Sequence, residues 1–239
     1  MKILDVQQIH SFYGKSHVIQ GVSLQLDQGA FVCLLGRNGV GKTTTLHSIM
    51  GMVKPKEGKV LFNGEELRGL EPFQISRMGV GLVPETRRIF ASLTVEENLR
   101  LAVVGNKKRR LEKGEGWTME AIYDQFPSLS NRRNQNGGNL SGGEQQMLTI
   151  ARTLMGNPDV LLVDEPTEGL APVIAKDVMD MLRDINKAGV TILMVEQNMN
   201  LAMKLVNYFY VMGKGRIVFQ GDKEALLAAD EVRHQYLEV

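Results

Sequence analysis

Between Gly36 and Thr43 the chain reads Gly-Arg-Asn-Gly-Val-Gly-Lys-Thr, the spacing G-x-x-x-x-G-K-[ST]. Glycines so placed let the backbone curl, and the N–H groups of Arg37, Asn38, Gly39, Val40 and Gly41 can then turn inward on phosphate oxygens. A helix opening at this point adds about half a positive charge at its N-terminus. Lys42 can reach the β- and γ-phosphates of a nucleotide, the Thr43 hydroxyl can ligate Mg²⁺, and Thr44 can donate to the α-phosphate.

Two further segments complete the chemistry. Val160-Leu161-Leu162-Val163-Asp164-Glu165 is an apolar run ending in adjacent acids. Asp164 at a strand end can hold Mg²⁺ through water, and Glu165 can orient and deprotonate a water attacking the γ-phosphate. Leu140-Ser141-Gly142-Gly143-Glu144 opens an apolar helical pattern. Ser141 with Glu144 makes a capping box, and the two glycines expose N–H groups that could serve as a second anion site. One nucleotide does not need both phosphate sites unless the second acts on a partner's nucleotide.

The elements that must hold these groups alternate in type. Ala30–Leu35 is a short apolar run before the glycine-rich loop, the mark of a strand buried on both faces. Leu46, Ile49, Met50 and Val53 follow at helical spacing. Val160–Val163, Val190–Val195 and Tyr208–Met212 read as further core strands, with a helix carrying Ile174, Val178, Met181, Leu182 and Ile185 between the first two. Strand–helix alternation predicts a mostly parallel sheet. Ile3–Ile9, Val22–Leu26 and Lys59–Phe62 suit a small antiparallel sheet. From Ile89 to Met155 the patterns are helical: Thr94 and Glu97 form a capping box before Leu99, Leu101 and Val103, and Ile122, Tyr123 and Phe126 mark a second helix. The polar stretch Asn106–Gly116, with Lys107 to Arg110 in a row, reads as a solvated loop.

Composition narrows the class. In 239 residues, 28 Lys and Arg oppose 27 Asp and Glu, so the net charge of +1 offers no global attraction to nucleic acid. Hydrophobic residues at 43% suffice for a sizeable core. The single Cys33 excludes an internal disulfide framework, and His10, His17, His47 and His234 lack ligand spacing. No apolar run has membrane-span length, and Asp5 interrupts any leader-like core, so a soluble intracellular chain is expected.

Taken together, LSGGE, the loop upstream and the strand ending in Asp164-Glu165 resemble the ATP-binding subunit of an ABC transporter over essentially the whole chain. The resemblance implies an α/β fold: a P-loop NTPase core at 1–88 and 156–239, a small N-terminal antiparallel part, and an inserted helical subdomain at 89–155. It implies MgATP hydrolysis by a head-to-tail pair, each ATP lying between one subunit's glycine-rich loop and the other's Ser141-Gly142-Gly143. Tyr13 matches the family's adenine-stacking position, with Val18 on the same face.

Three positions depart from that family's usual pattern. Glu85 stands where a neutral glutamine is usual, Ala171 replaces an aspartate, and the switch histidine is Gln197. Gln197 can donate to the γ-phosphate and carries no proton. With V-P-E-x-R-R-I-F and V-E-Q-N, these departures resemble an ATPase subunit of branched-chain amino-acid importers; urea and short-chain amide importers share much of the pattern. Implied partners are membrane-spanning permease subunits, a second ATPase subunit (a paralogue in the complex, a self-pair in isolation) and, indirectly, a substrate-binding protein. The implied location is peripheral, on the cytoplasmic face of the inner membrane. The junction Glu85–Phe90 is expected to couple the site to the membrane subunits, and Met199 and Met203, one turn apart, could face a partner.

Overall fold

The computed structural model describes residues 1–105 and 116–237, so the Lys107–Arg110 run lies outside the described residues. The strands are β1 (Lys2–Tyr13), β2 (Ser16–Asp27), β3 (Phe31–Leu35), β4 (Glu57–Phe62) and β5 (Glu65–Glu66). They continue as β6 (Val80–Val83), β7 (Val160–Asp164), β8 (Thr191–Glu196), β9 (Tyr208–Gly213) and β10 (Arg216–Asp222). The helices are α1 (Lys42–Ile49), α2 (Pro72–Met78), α3 (Val95–Gly105), α4 (Met119–Gln125), the single turn α5 (Pro127–Ser130), α6 (Gly142–Leu154) and α7 (Pro172–Lys187). Helices α8 (Met199–Ala202), α9 (Lys223–Ala228) and α10 (Asp230–Tyr236) follow β8 and β10.

Strand alternation explains the layers. In the six-stranded sheet, ordered β10-β9-β3-β8-β7-β6, all pairs are parallel except β10 with β9. Cys33, Leu35, Leu161, Val163, Ile192 and Met194 point to one face and pack with the helices α3 to α7. Their neighbours Val32, Leu34, Val160, Leu162, Leu193 and Val195 point to the other. There they meet α1 and the antiparallel sheet, ordered β2-β1-β4-β5. Full burial of each aliphatic side chain is worth about 1.5–3 kcal/mol, so a sheet covered on both faces anchors the whole domain.

Local expectations meet the structure with some differences. α1 ends at Ile49, and Val53 lies beyond it, because Gly51 turns the chain at φ 70°. A Cβ at Gly51 would meet the Leu70 carbonyl at 2.7 Å, so the close approach requires glycine. Strands β6 and β10 were not foreseen; β6 is four residues long, and β10 is a half-exposed edge strand. Met203 is buried and Met199 packs against the helical core, so the pair does not offer a partner-facing surface. Their spacing was that of any core-facing helix turn. Among the described residues, no helix is long and apolar enough to cross a membrane.

Candidate nucleotide site

The parallel strands deliver their C-terminal ends to one edge, where open α/β sheets bind ligands. β3 runs into the glycine-rich loop, β7 ends at Asp164, β8 ends at Glu196, and β6 leads through Pro84 to Glu85. Gly39 and Gly41 adopt φ 79° and 114°, which bends the loop back over the start of α1. A cavity of about 270 Å³ forms there, lined by Asn38, Gly39, Gly41, Lys42, Thr43 and Thr44 from the loop and helix. Val18, Glu85, Glu165 and Glu168 close its other sides.

Inside, the charged groups are tightly arranged. The Lys42 side chain is only 3% exposed; its Nζ lies 2.9 Å from Glu165 Oε1 and donates to the carbonyls of Gly36 at 2.9 Å and Arg37 at 3.1 Å. Thr43 Oγ1 donates to Asp164 Oδ1 at 2.9 Å. Burial pushes the Asp164 carboxyl up to about 6; Thr43 and Lys42 oppose the rise, and Glu165 and Glu85 add to it. Glu165 itself sits at φ 39°, its N–H donating to the Val195 carbonyl at 3.1 Å. A non-glycine residue in this region is uncommon and costs on the order of 1–3 kcal/mol, a strain found where side-chain aim matters.

The oxygen donors suit Mg²⁺. Thr43 and Asp164 present a hydroxyl and a carboxylate side by side, hard oxygen donors of the kind that would hold Mg²⁺ directly or through water. Among the described residues there is no cluster of three His, Cys, Asp or Glu that could hold a metal. Such sites need few protein ligands, because phosphate oxygens and water fill the rest.

Other sequence candidates stand elsewhere. Arg37 is exposed on the loop and Val40 packs against the core beneath it. Tyr13 is 51% exposed at the end of β1, outside the residues lining the cavity. Ser141, Gly142 and Gly143 start α6, also outside that lining. Ser141 and Glu144 form the expected capping box. Gly143 has a packing reason as well: a Cβ there would meet Ile174 Cγ2 at 2.3 Å. Gln197 is half-buried, its N–H donating to Glu196 at 3.0 Å, and its side chain is not part of the lining.

Two further residues stand close to these segments: Arg87, part of the Glu85–Phe90 junction, and Glu196, to which the sequence assigned no role. Arg87 lies at φ 33° with its carbonyl accepting from Thr149 on α6, and its guanidinium would touch a Cβ at Gly142 at 2.8 Å. Glu196 is 3% exposed and accepts from Thr167 Oγ1 at 2.6 Å. An acid ending an apolar strand was the available signal for Glu196, whereas the approach of Arg87 to Gly142 has no local signal. At the junction, Ile89 packs into the helical core while Phe90 is 50% exposed under the Arg152 guanidinium, 5.2 Å from its ring centre.

The chain is similar to known proteins over nearly its whole length. The family described as ABC transporter matches residues 19–168. The high-affinity branched-chain amino acid transport ATP-binding protein BraG of Pseudomonas aeruginosa is 40% identical over 98% of this chain and 99% of its own. The probable branched-chain amino acid transport ATP-binding protein LivF of Archaeoglobus fulgidus is 35% identical over 94% of each chain. A nucleotide-free ATP-binding cassette from an ABC transporter superposes with a TM-score of 0.84 at 27% identity, covering 97% of this chain and 96% of that one. With the phosphate loop, the paired acids and the capped Ser141-Gly142-Gly143 turn on one such fold, the chain belongs to the ABC transporter family, as an ATPase whose hydrolysis is coupled to transport.

Proposed function

We propose that this chain is the peripheral ATPase of an importer of branched-chain amino acids, acting at the cytoplasmic face of the inner membrane. The observation that carries the ATP chemistry is the convergence of Lys42, Thr43, Asp164 and Glu165 on one cavity. For the cargo, the support is the similarity to BraG and LivF, which favours branched-chain amino acids over urea and short-chain amides.

The residues divide the work as follows. N–H groups of Arg37 to Gly41 bind phosphate oxygens, Thr44 adds a donor, and Lys42 sets its charge against the β- and γ-phosphates. Thr43 and Asp164 would hold Mg²⁺, with Glu85 on the same side; the ion supplies neutralisation of charge developing on phosphate oxygens. Glu165 takes the proton of the attacking water, and Gln197 donates a hydrogen bond to the γ-phosphate without moving a proton. Tyr13 stacks on adenine above Val18, a contact worth roughly 1–3 kcal/mol. Ser141, Gly142 and Gly143 contact the partner subunit's nucleotide across a head-to-tail pair, which their place outside the chain's own cavity supports.

Docking to the permease uses a groove of about 520 Å³ whose lining includes Phe73, Phe90, Leu101 and Arg152. Phe73, Phe90 and Leu101 are all at least 45% exposed, an apolar concentration that suits a partner element. The test is uptake into vesicles holding this chain, its permease subunits and the substrate-binding protein. ATP-dependent accumulation of leucine, isoleucine and valine is expected. Uptake of urea with none of these amino acids would overturn the cargo assignment.

A further inference from the structure

Glu196 stands at a crossing in the sheet. β8 lies between β3 and β7, so its C-terminal residue falls between the phosphate loop and the Asp164-Glu165 acids. The Glu196 carbonyl accepts the N–H of Gly36, where the phosphate loop begins, at 3.3 Å. Its carboxylate accepts from Thr167 Oγ1 at 2.6 Å, two residues past Glu165. The same carboxylate accepts the N–H groups of Gln197 at 3.0 Å and Asn198 at 3.2 Å, the start of the switch segment. The side chain thus ties the loop after β7 to the segment after β8, and the backbone carbonyl of the same residue holds the start of the glycine-rich loop.

Such a group is costly to place. A carboxylate 3% exposed loses its hydration, and only well-aimed donors offset that loss. A threonine hydroxyl and two backbone N–H groups are those donors, and each belongs to a loop whose aim affects the reaction. A neutral apolar residue would end the strand at lower cost and leave the segments after β7 and β8 unconnected.

We propose that Glu196 is a positioning residue for ATP hydrolysis, holding the Gln197 segment in register with the Glu165 loop through Thr167. The inference rests on the ATP site proposed above. It assigns Glu196 no contact with nucleotide or attacking water. Because misplacement by about 1 Å can cost on the order of 10²-fold in rate, loss of the tie should show in turnover rather than in binding.

The test uses the full chain assembled with its membrane subunits, reading kcat and KM for MgATP together with nucleotide affinity. Thr167→Val removes the hydroxyl at nearly constant shape, Thr167→Ser restores it, and Glu196→Met removes both acceptor oxygens. Thr167→Val and Glu196→Met are each expected to lower kcat about 10–100-fold with KM within about twofold. Thr167→Ser should stay within about twofold of wild type, and the double variant should fall no further than the worse single one. If Glu196→Met fails to fold, the Val and Ser pair at position 167 carries the test alone. Unchanged kcat in folded Thr167→Val, failed rescue by Ser, or losses confined to KM and affinity would each overturn the proposal. An assembled wild type that hydrolyses no ATP would overturn the site reading and this inference together, whereas hydrolysis indifferent to Thr167→Val overturns the inference alone.

Discussion

Lys42 Nζ lies 2.9 Å from Glu165 Oε1, so the ammonium proposed to hold phosphate is also bound by the carboxylate proposed to activate water. Both side chains are largely shielded, at 3% and 11% exposure, which strengthens the attraction between them. A phosphate approaching Lys42 must compete with Glu165 for the same donor.

That competition sets the first expectation. Glu165→Gln should slow hydrolysis by roughly 10²–10⁴-fold, the usual value of a positioned base. ATP binding should be retained or tightened, since the variant removes the competing charge. Single-turnover kinetics and equilibrium nucleotide binding on the same preparation separate the two effects. Near-normal turnover would transfer the base role, with Glu85 on the cavity wall next in line.

Lys42→Ala should behave differently from Ser141→Arg. The first removes a charge-assisted contact to phosphate and leaves Glu165 without its cation, so nucleotide binding by the isolated chain should weaken. Ser141 lies outside the cavity lining, and its replacement costs the cap of α6, about 1 kcal/mol. Isolated binding should therefore survive in Ser141→Arg while ATP-dependent pairing, followed by light scattering, is lost. Equal loss of isolated binding in both would sink the shared-site arrangement.

The junction should divide at Ile89 and Phe90, which sequence reading treated as one unit. Ile89→Ala opens packing in the helical core and should cost about 1–3 kcal/mol in denaturant unfolding. Phe90→Ala sits in the exposed groove and should change stability by less than about 1 kcal/mol, with nucleotide binding unaltered. Transport per ATP hydrolysed should fall in Phe90→Ala vesicles; an unchanged ratio with normal assembly removes the groove from the coupling path.

Glu196 also carries a pH expectation. Burial raises its carboxyl above the ordinary 4.5; the bonds from Thr167, Asn198 and Gln197 oppose that rise and the charge of Glu165 adds to it. On β3 the Cys33 thiol feels the same carboxylate, with Lys42 beyond it. The native state therefore keeps a proton that the unfolded chain has already lost, and stability falls as pH rises from 4.5 through the raised value. Glu196→Gln lacks this titration. The stability of wild type relative to the variant should decline over that window and level off above it. A rise with pH, measured by urea unfolding at fixed salt, would contradict the assignment.

Much of this protein was legible in one dimension because its determinants are local. Spacing from Gly36 to Thr43 dictates a phosphate-cradling turn, continuous apolar runs dictate doubly buried strands, and Ser141 with Glu144 or Thr94 with Glu97 dictates a helix start within four residues. Glu85, Ala171 and Gln197 stand out only against the pattern usual in the resembled family, not from any local spacing.

Long-range convergence was not legible. Strand order puts β8 between β3 and β7, and only that order makes Glu196 a junction of three loops. Arg87 reaches Gly142, and Lys42 meets Glu165, across separations that no periodicity encodes. Ile89 and Phe90 are adjacent apolar residues, yet one side chain enters the core and the other faces a groove. Local sequence determines backbone conformation and which faces must be buried. Which buried faces meet, and therefore which distant charges and hydroxyls come within hydrogen-bond reach, is decided when the sheet and its covering helices close on one another, because only that packing excludes water from the groups between them.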